Sequence, residues 1–197
     1  MADATYQPKT YRSNQGDDFN VISGGVLNVE SGATVKLLDS TALTATTAEI
    51  NRSADASTRM VAAGATLAMS EATHEGKIIA LDTAAGSIVT LPASTGGGAV
   101  YKFVVTVTAT SNSHVIKVAN ASDEMRGFVI QDASEATAPN TWWAADNDDT
   151  ITLNRSTTGL AAQGEYIEIV DALLNHFMVR GFSQASGAEA TPFSATV

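Results

Sequence analysis

The sequence predicts an all-β chain, on three observations. Charged residues make up 16% of it, well below the roughly 25% of a typical soluble domain, and Thr, Ser, Ala, Gly and Asn take their place. Apolar residues recur at alternate positions over short runs, the period of a strand with one buried face. Clusters of Gly, Ser, Asn and Asp separate those runs at nearly regular spacing and leave only one short helical stretch. Hydrophobic residues reach 44%, much of that Ala, and aromatics only 6%. Core density must therefore come from Val, Ile and Leu, or from packing between chains.

A chain of 197 residues holds one good-sized domain plus a smaller segment. The expected order is an extended arm over 1–18, a short β-ladder over 19–40, a helical linker over 41–60 and a β-sandwich over 61–197. The arm carries Pro8, Gly16 and many polar groups without periodicity, as a segment that orders on a partner does.

From Phe19 to Leu37 apolar residues alternate. The phrases Ile22-Ser-Gly-Gly25 and Val29-Glu-Ser-Gly32 are near copies, with Gly25 and Gly32 seven residues apart. Alternation broken by regular glycines gives short strands turning in a ladder, as in β-solenoids and intertwined trimeric shafts. A stable stack needs three or more repeats, and one chain supplies too few to bury its own inner face. Identical neighbours are expected to cover it, along a three-chain seam of Val21, Val26, Leu27, Val29, Val35 and Leu37. The helical linker follows, with Thr46 and Glu49 spaced as a capping box and Ile50 as its main buried anchor and a further seam residue.

Beyond residue 61, nine strands are expected: Thr66–Met69, Lys77–Leu81, Ser87–Leu91, Val100–Val107, His114–Val118, Arg126–Ile130, Thr150–Leu153, Tyr166–Val170 and His176–Phe182. That number of short strands indicates a sandwich, jelly roll or barrel, and a jelly-roll-like sandwich is the expected one.

The 11 Lys and Arg against 21 Asp and Glu give a formal charge of -10, which repels phosphate backbones and anionic lipid surfaces. Neither nucleic acid nor membrane is an expected partner. The chain has no cysteine, so disulfides, thiolate zinc sites and Cys nucleophiles are excluded. Its first residues lack the pattern of a secretory signal, and no apolar run reaches the roughly 18 residues of a membrane span, so assembly in a cytoplasm is expected.

Candidate chemistry is sparse. His74, His114 and His176 stand far apart without ligand spacing, and His114 is expected to face solvent or a subunit seam. The Gly96–Gly98 run lacks the Gly-Lys-Ser/Thr ending of a phosphate loop and reads as a connection. Asp146, Asp148 and Asp149 gather oxygen ligands but lack the Gly and Glu of an EF-hand, so a turn is expected there, with a cation the alternative. Glu165, Glu168 and Asp171 read as acidic residues on a solvated face, without the convergence a hydrolase needs. Trp142 and Trp143, consecutive in a strand, point to opposite faces. One fills the core, and the other lies at a subunit interface or on a carbohydrate-stacking platform.

The run Leu43-Thr-Ala-Thr-Thr-Ala-Glu-Ile50-Asn resembles a linker phrase of tailed-bacteriophage fibre and head proteins. The segments Gly76–Pro92, Tyr101–Val107 and Ser113–Asn120, with the ending Ala190–Val197, look like the β-domain of small virion proteins of that group, and the likeness covers about two thirds of the chain. The resemblance implies a non-enzymatic capsid decoration or cement protein without a cofactor. It would be a homotrimer on the outer capsid surface of the virion, bound to the major capsid protein and holding neighbouring capsomers together. The arm would then supply the capsid contacts, through Tyr6, Pro8, Tyr11, Arg12 and Phe19. The alternative within the same group is a head-fibre, tail-fibre or spike protein whose β-domain binds host glycans.

Overall fold

The computed structural model describes residues 10–12, 19–21, 44–54, 59–133, 138–159 and 163–197. By its internal contacts the chain divides into two units, Met1–Asn51 and Arg52–Val197.

In the first unit, β1 (Thr10–Arg12) pairs antiparallel with β2 (Phe19–Val21), Tyr11 opposite Asn20 and Arg12 opposite Phe19. Within the extended arm expected over 1–18, Thr10–Arg12 is strand β1, and the rest of the arm lies outside the described residues. Helix α1 (Thr47–Ala54) runs across the division between the units. Its start is the expected capping box: Thr46 Oγ1 accepts the Glu49 N–H at 3.2 Å, and Glu49 Oε2 accepts the Thr46 N–H at 2.6 Å. Ile50, expected as a buried anchor, is exposed. It is the one large apolar residue of an eight-residue helix, which therefore has no apolar stripe to bury.

Among the described residues the second unit holds twelve strands in two sheets. They are β3 (Met60–Ala62), β4 (Thr66–Ala68), β5 (Ile78–Leu81), β6 (Ile88–Thr90), β7 (Val100–Val105), β8 (His114–Lys117), β9 (Glu124–Ala133), β10 (Asn140–Trp143), β11 (Thr150–Leu153), β12 (Tyr166–Leu173), β13 (His176–Ala185) and β14 (Phe193–Ser194), with a one-turn helix α2 (Glu71–His74) after β4. The seven-stranded sheet runs β10-β9-β13-β12-β7-β5-β3 and the five-stranded sheet β14-β11-β8-β6-β4. All nine expected strands are present, joined by β3, β10 and β14.

From β3 to β8 the chain alternates between the sheets, and each strand lies parallel to the one two before it. The result is a three-turn coil. One of its corners is Gly86, at φ 96°, where a Cβ would stand 2.4 Å from the Ser113 carbonyl oxygen. Strands β9 and β13 are also parallel. A jelly roll is built from antiparallel Greek keys, so this winding departs from the jelly-roll-like order expected. Solenoid-like coiling occurs at Met60–Lys117, while the ladder expected over 19–40 lies, beyond β2, outside the described residues.

Both sheets contribute to a single core. Tyr101, Phe103 and Val105 alternate inward along β7 and join Ile79, Met125, Ile167 and Phe177 of the same sheet. Val89, Ile116, Ile151, Leu153 and Phe193 enter from the other sheet. Among the described residues no helix is long and apolar enough to cross a membrane.

His114 lies within this interior, not at a surface. Its Nδ1 accepts the Ser87 N–H at 2.8 Å, so Nε2 carries the proton and donates to the Val107 carbonyl at 3.0 Å. Burial pushes its pKa below the ordinary histidine value, only partly countered by the Val107 bond and the Asp82 charge. A depressed histidine stabilises fully above its unfolded pKa, about 6.5. Below that, the unfolded chain takes up a proton that the folded chain refuses, and stability falls. Urea unfolding at pH 7.5 and pH 5 is expected to give a lower stability in acid, with a smaller loss for His114→Gln.

Candidate functional site

Strand pairing arranges the outward side chains of the seven-stranded sheet in rows, because residues in register share a face. The central row runs Met60, Ile78, Lys102, Glu168, Arg180, Phe128 and Trp143 across seven adjacent strands. On one side lie Val104, Tyr166, Phe182, Ile130 and Thr141. On the other lie Val100, Val170, Met178 and Arg126.

This face is apolar and open. Trp143 is 68% exposed, Met60 58%, Phe182 48%, Met178 45% and Ile130 40%. Single exposed apolar residues such as Met60, on the far edge strand, are ordinary, but Trp143, Ile130, Phe182 and Met178 gather on the adjacent strands β10, β9 and β13 as a patch of the kind that marks an interaction surface. The Trp143 ring leans on Phe128 with centroids 5.0 Å apart and planes at 48°. Beside them Gly127, Phe128, Trp143, Val170, Met178 and Arg180 border a groove of about 360 Å³.

Trp142 and Trp143 part as expected. Trp142 packs against the core, its Nε1 donating to Gln131 Oε1 at 2.7 Å, while Gln131 Nε2 donates to the Thr157 carbonyl at 2.8 Å.

One carboxylate stands in the middle of the face. Glu168 is only 7% exposed, because neighbours on its own side cover it. The Tyr166 hydroxyl donates to it at 2.9 Å and the Arg180 guanidinium at 2.5 Å. Burial pushes the Glu168 pKa up, but those two bonds and the charges of Arg180 and Lys102 hold it below the ordinary range. The tyrosine moves the opposite way, raised by burial and by the carboxylate it donates to. Glu168 is therefore ionised between two cations, and most of the Arg180 side chain remains accessible.

The other acids expected on a solvated face are also buried. Asp171 is enclosed by the loop Ser94–Gly97. Ser94 Oγ donates to it at 2.7 Å, the N–H groups of Thr95 and Gly96 at 2.9 Å each and Thr95 Oγ1 at 3.0 Å. The glycine-rich run does cradle an anion, and the anion belongs to the same chain. Asp149, considered for a cation, accepts the N–H groups of Thr196 at 2.8 Å and Val197 at 3.1 Å. Asp148 accepts the Ala145 N–H at 2.7 Å, and Asp146 pairs with Arg126, which also holds Glu124 at 2.5 Å. Glu165 is buried too. Among the described residues no group of three His, Asp or Glu side chains converges on a metal position.

Of the residues expected to touch a capsid, Tyr11 and Arg12 lie on β1 and Phe19 on its antiparallel neighbour β2; Tyr6 and Pro8 lie outside the described residues. Of the expected seam, Val21 lies on β2 and Ile50 on α1, while Val26, Leu27, Val29, Val35 and Leu37 lie outside. The sheet face was missed as a site, although Phe128-Val129-Ile130 and Phe177-Met178-Val179 carry its signal, apolar residues on both sides of a strand.

Fold and face together describe a β-sandwich module whose open surface has the Trp, Tyr, Phe, Met and Arg content of protein–protein contacts. No protein-family model, curated protein or solved structure matches the chain.

Proposed function

We propose that this is a non-catalytic structural protein of a tailed-phage particle, a capsid decoration protein. It binds the major capsid protein through its N-terminal unit, assembles around a three-fold axis and stabilises contacts between capsomers. The observation that carries this reading is the open apolar face of the seven-stranded sheet, which suits a chain that works in association with other chains. The resemblance of the linker phrase and the β-domain segments to small virion proteins supports the phage assignment. The paired strands β1 and β2 carry Tyr11, Arg12 and Phe19, and Tyr and Arg are residue types enriched at interfaces.

The test is co-sedimentation of the full chain with expanded capsids of the virus that encodes it. Tyr11→Ala combined with Arg12→Glu is expected to weaken attachment at least about tenfold, the range of two lost interface anchors, with the mass in solution unchanged. Attachment at full strength would remove these residues from the capsid contact. No attachment of the unaltered chain would sink the decoration reading.

A second reading, a head-fibre, tail-fibre or spike protein with a host-glycan-binding β-domain, is favoured by the exposed Trp143 beside the Arg180 groove. Glycan-array binding abolished by Trp143→Ala would decide for it.

A further inference from the structure

The apolar face has no partner among the described residues, and the order of its rows points to one. The chain carries a net charge of -10, so copies repel one another in general. On this face the repulsion is absent. The central row holds Lys102, Glu168 and Arg180; Glu168 is buried and already bonded to Arg180 of its own chain, as Arg126 at the margin is to Glu124 and Asp146, so the charges of the face are largely paired.

Strand order makes the face complementary to itself. Consider a two-fold axis parallel to the strands and passing between β12 and β13, with a second copy packed face to face. Rows stay in register while strand order reverses. The Glu168–Arg180 pair of one copy then lies over the same pair of the second in reversed order, so that each exposed Arg180 stands opposite the other copy's Glu168 position and like charges are kept apart. Lys102 meets the ring of Phe128, a cation over an aromatic face, and Ile78 meets Trp143. In the flanking rows Tyr166 meets Phe182, Val104 meets Ile130 and Val170 meets Met178.

Other placements fail on the same rows. An axis through β12 sets Glu168 against Glu168 and Arg180 against Lys102. One between β9 and β13 sets Glu168 against Trp143, and one between β7 and β12 leaves Trp143 overhanging. We infer that the outer face of the seven-stranded sheet is a self-association surface, on which two copies of this chain pack across a two-fold axis between β12 and β13.

The area suffices. Six overlapping strands spaced about 4.8 Å, with three rows about 6.8 Å apart, cover about 500 Å² per copy, so about 1,000 Å² in total, the lower bound of specific interfaces. The pairing does not depend on capsid decoration. Alone it gives two copies, and combined with a three-fold axis it gives six.

The test uses the full chain in two charge-reversed forms, Glu168→Arg and Arg180→Glu, with masses measured by light scattering across a dilution series. Each form alone sets like charges across the axis and is expected to show half the mass of the unaltered chain. Mixed in equal amounts they are expected to regain it, because one copy now offers two cations and the other two carboxylates. Phe182→Asp, at an exposed position outside the core, is expected to halve the mass as well, and decides the matter if the charge-reversed forms fail to fold by circular dichroism. A mixture that keeps the separate masses, or an unaltered chain of one or three copies, overturns the inference. Three copies would do so while leaving the three-fold reading intact, and two copies would do the reverse. Face variants that keep the full mass but lose capsid attachment would assign the face to the capsid protein and overturn self-pairing.

Discussion

Gly127→Ala is expected to destabilise the chain by at least about 4 kcal/mol, the range of severe backbone conflicts, and to leave much of it unfolded. Gly127 sits mid-strand in β9 at φ 123°, opposite Val179 of β13. A Cβ there would lie 1.9 Å from the Val179 carbonyl oxygen, a main-chain atom that cannot move aside without breaking the parallel pairing. Both the left-handed backbone and the close approach demand glycine. Because β9 carries Phe128 and abuts β10 with Trp143, displacing it also disorders the aromatic end of the face. Urea unfolding and tryptophan fluorescence give the measurement. A loss under about 1 kcal/mol would mean that β9 and β13 are not paired in this register.

Asp171→Asn is expected to cost about 3 kcal/mol, the scale for removing a buried charge that several donors address. Burial pushes the Asp171 carboxyl up, yet the Thr95 and Gly96 N–H groups and the Ser94 and Thr95 hydroxyls hold it below the ordinary aspartate value. An amide brings an N–H₂ group among donors and leaves some of them unsatisfied. A depressed carboxylate contributes its stability above the unfolded pKa of about 3.9, and that contribution is lost as pH falls through the lower folded value. The unaltered chain should therefore lose stability in strong acid, and Asp171→Asn should lose less over the same interval. An equal loss in both would show that the loop is held by other means.

The strands themselves were legible. Alternation along Val100–Val105 and Tyr166–Val170, with turn clusters at Ser94–Gly98 and Ser111–Ser113, marks elements whose inner residues are the core. Their winding was not. Local pattern reports which residues share a face but not that β5 pairs with β7 or β9 with β13, pairings fixed by corners and core packing far apart in sequence. For the same reason Glu168 was read correctly as facing outward and wrongly as solvated, since its covering neighbour Arg180 comes from another strand. Asp171 and His114 were misread because the donors to Asp171 lie 75 to 77 residues away and the donor to His114, Ser87, lies 27 away. The two indoles could be assigned to opposite faces from the sequence, but Phe128, Phe182 and Met178 join Trp143 only through strand order.

Strand β7 has parallel β5 on one edge and antiparallel β12 on the other. The coil up to β8 can wind as soon as it leaves the ribosome, whereas β12 begins 66 residues after β7 does, a delay of about 3 to 13 s at typical synthesis rates of about 5–20 residues per second. During that interval β7 presents an open hydrogen-bonding edge beside Tyr101 and Phe103, side chains destined for the core. Until β12 arrives, the growing chain carries an unfinished sheet, and an unpaired strand edge of that kind is a template on which another chain can pair.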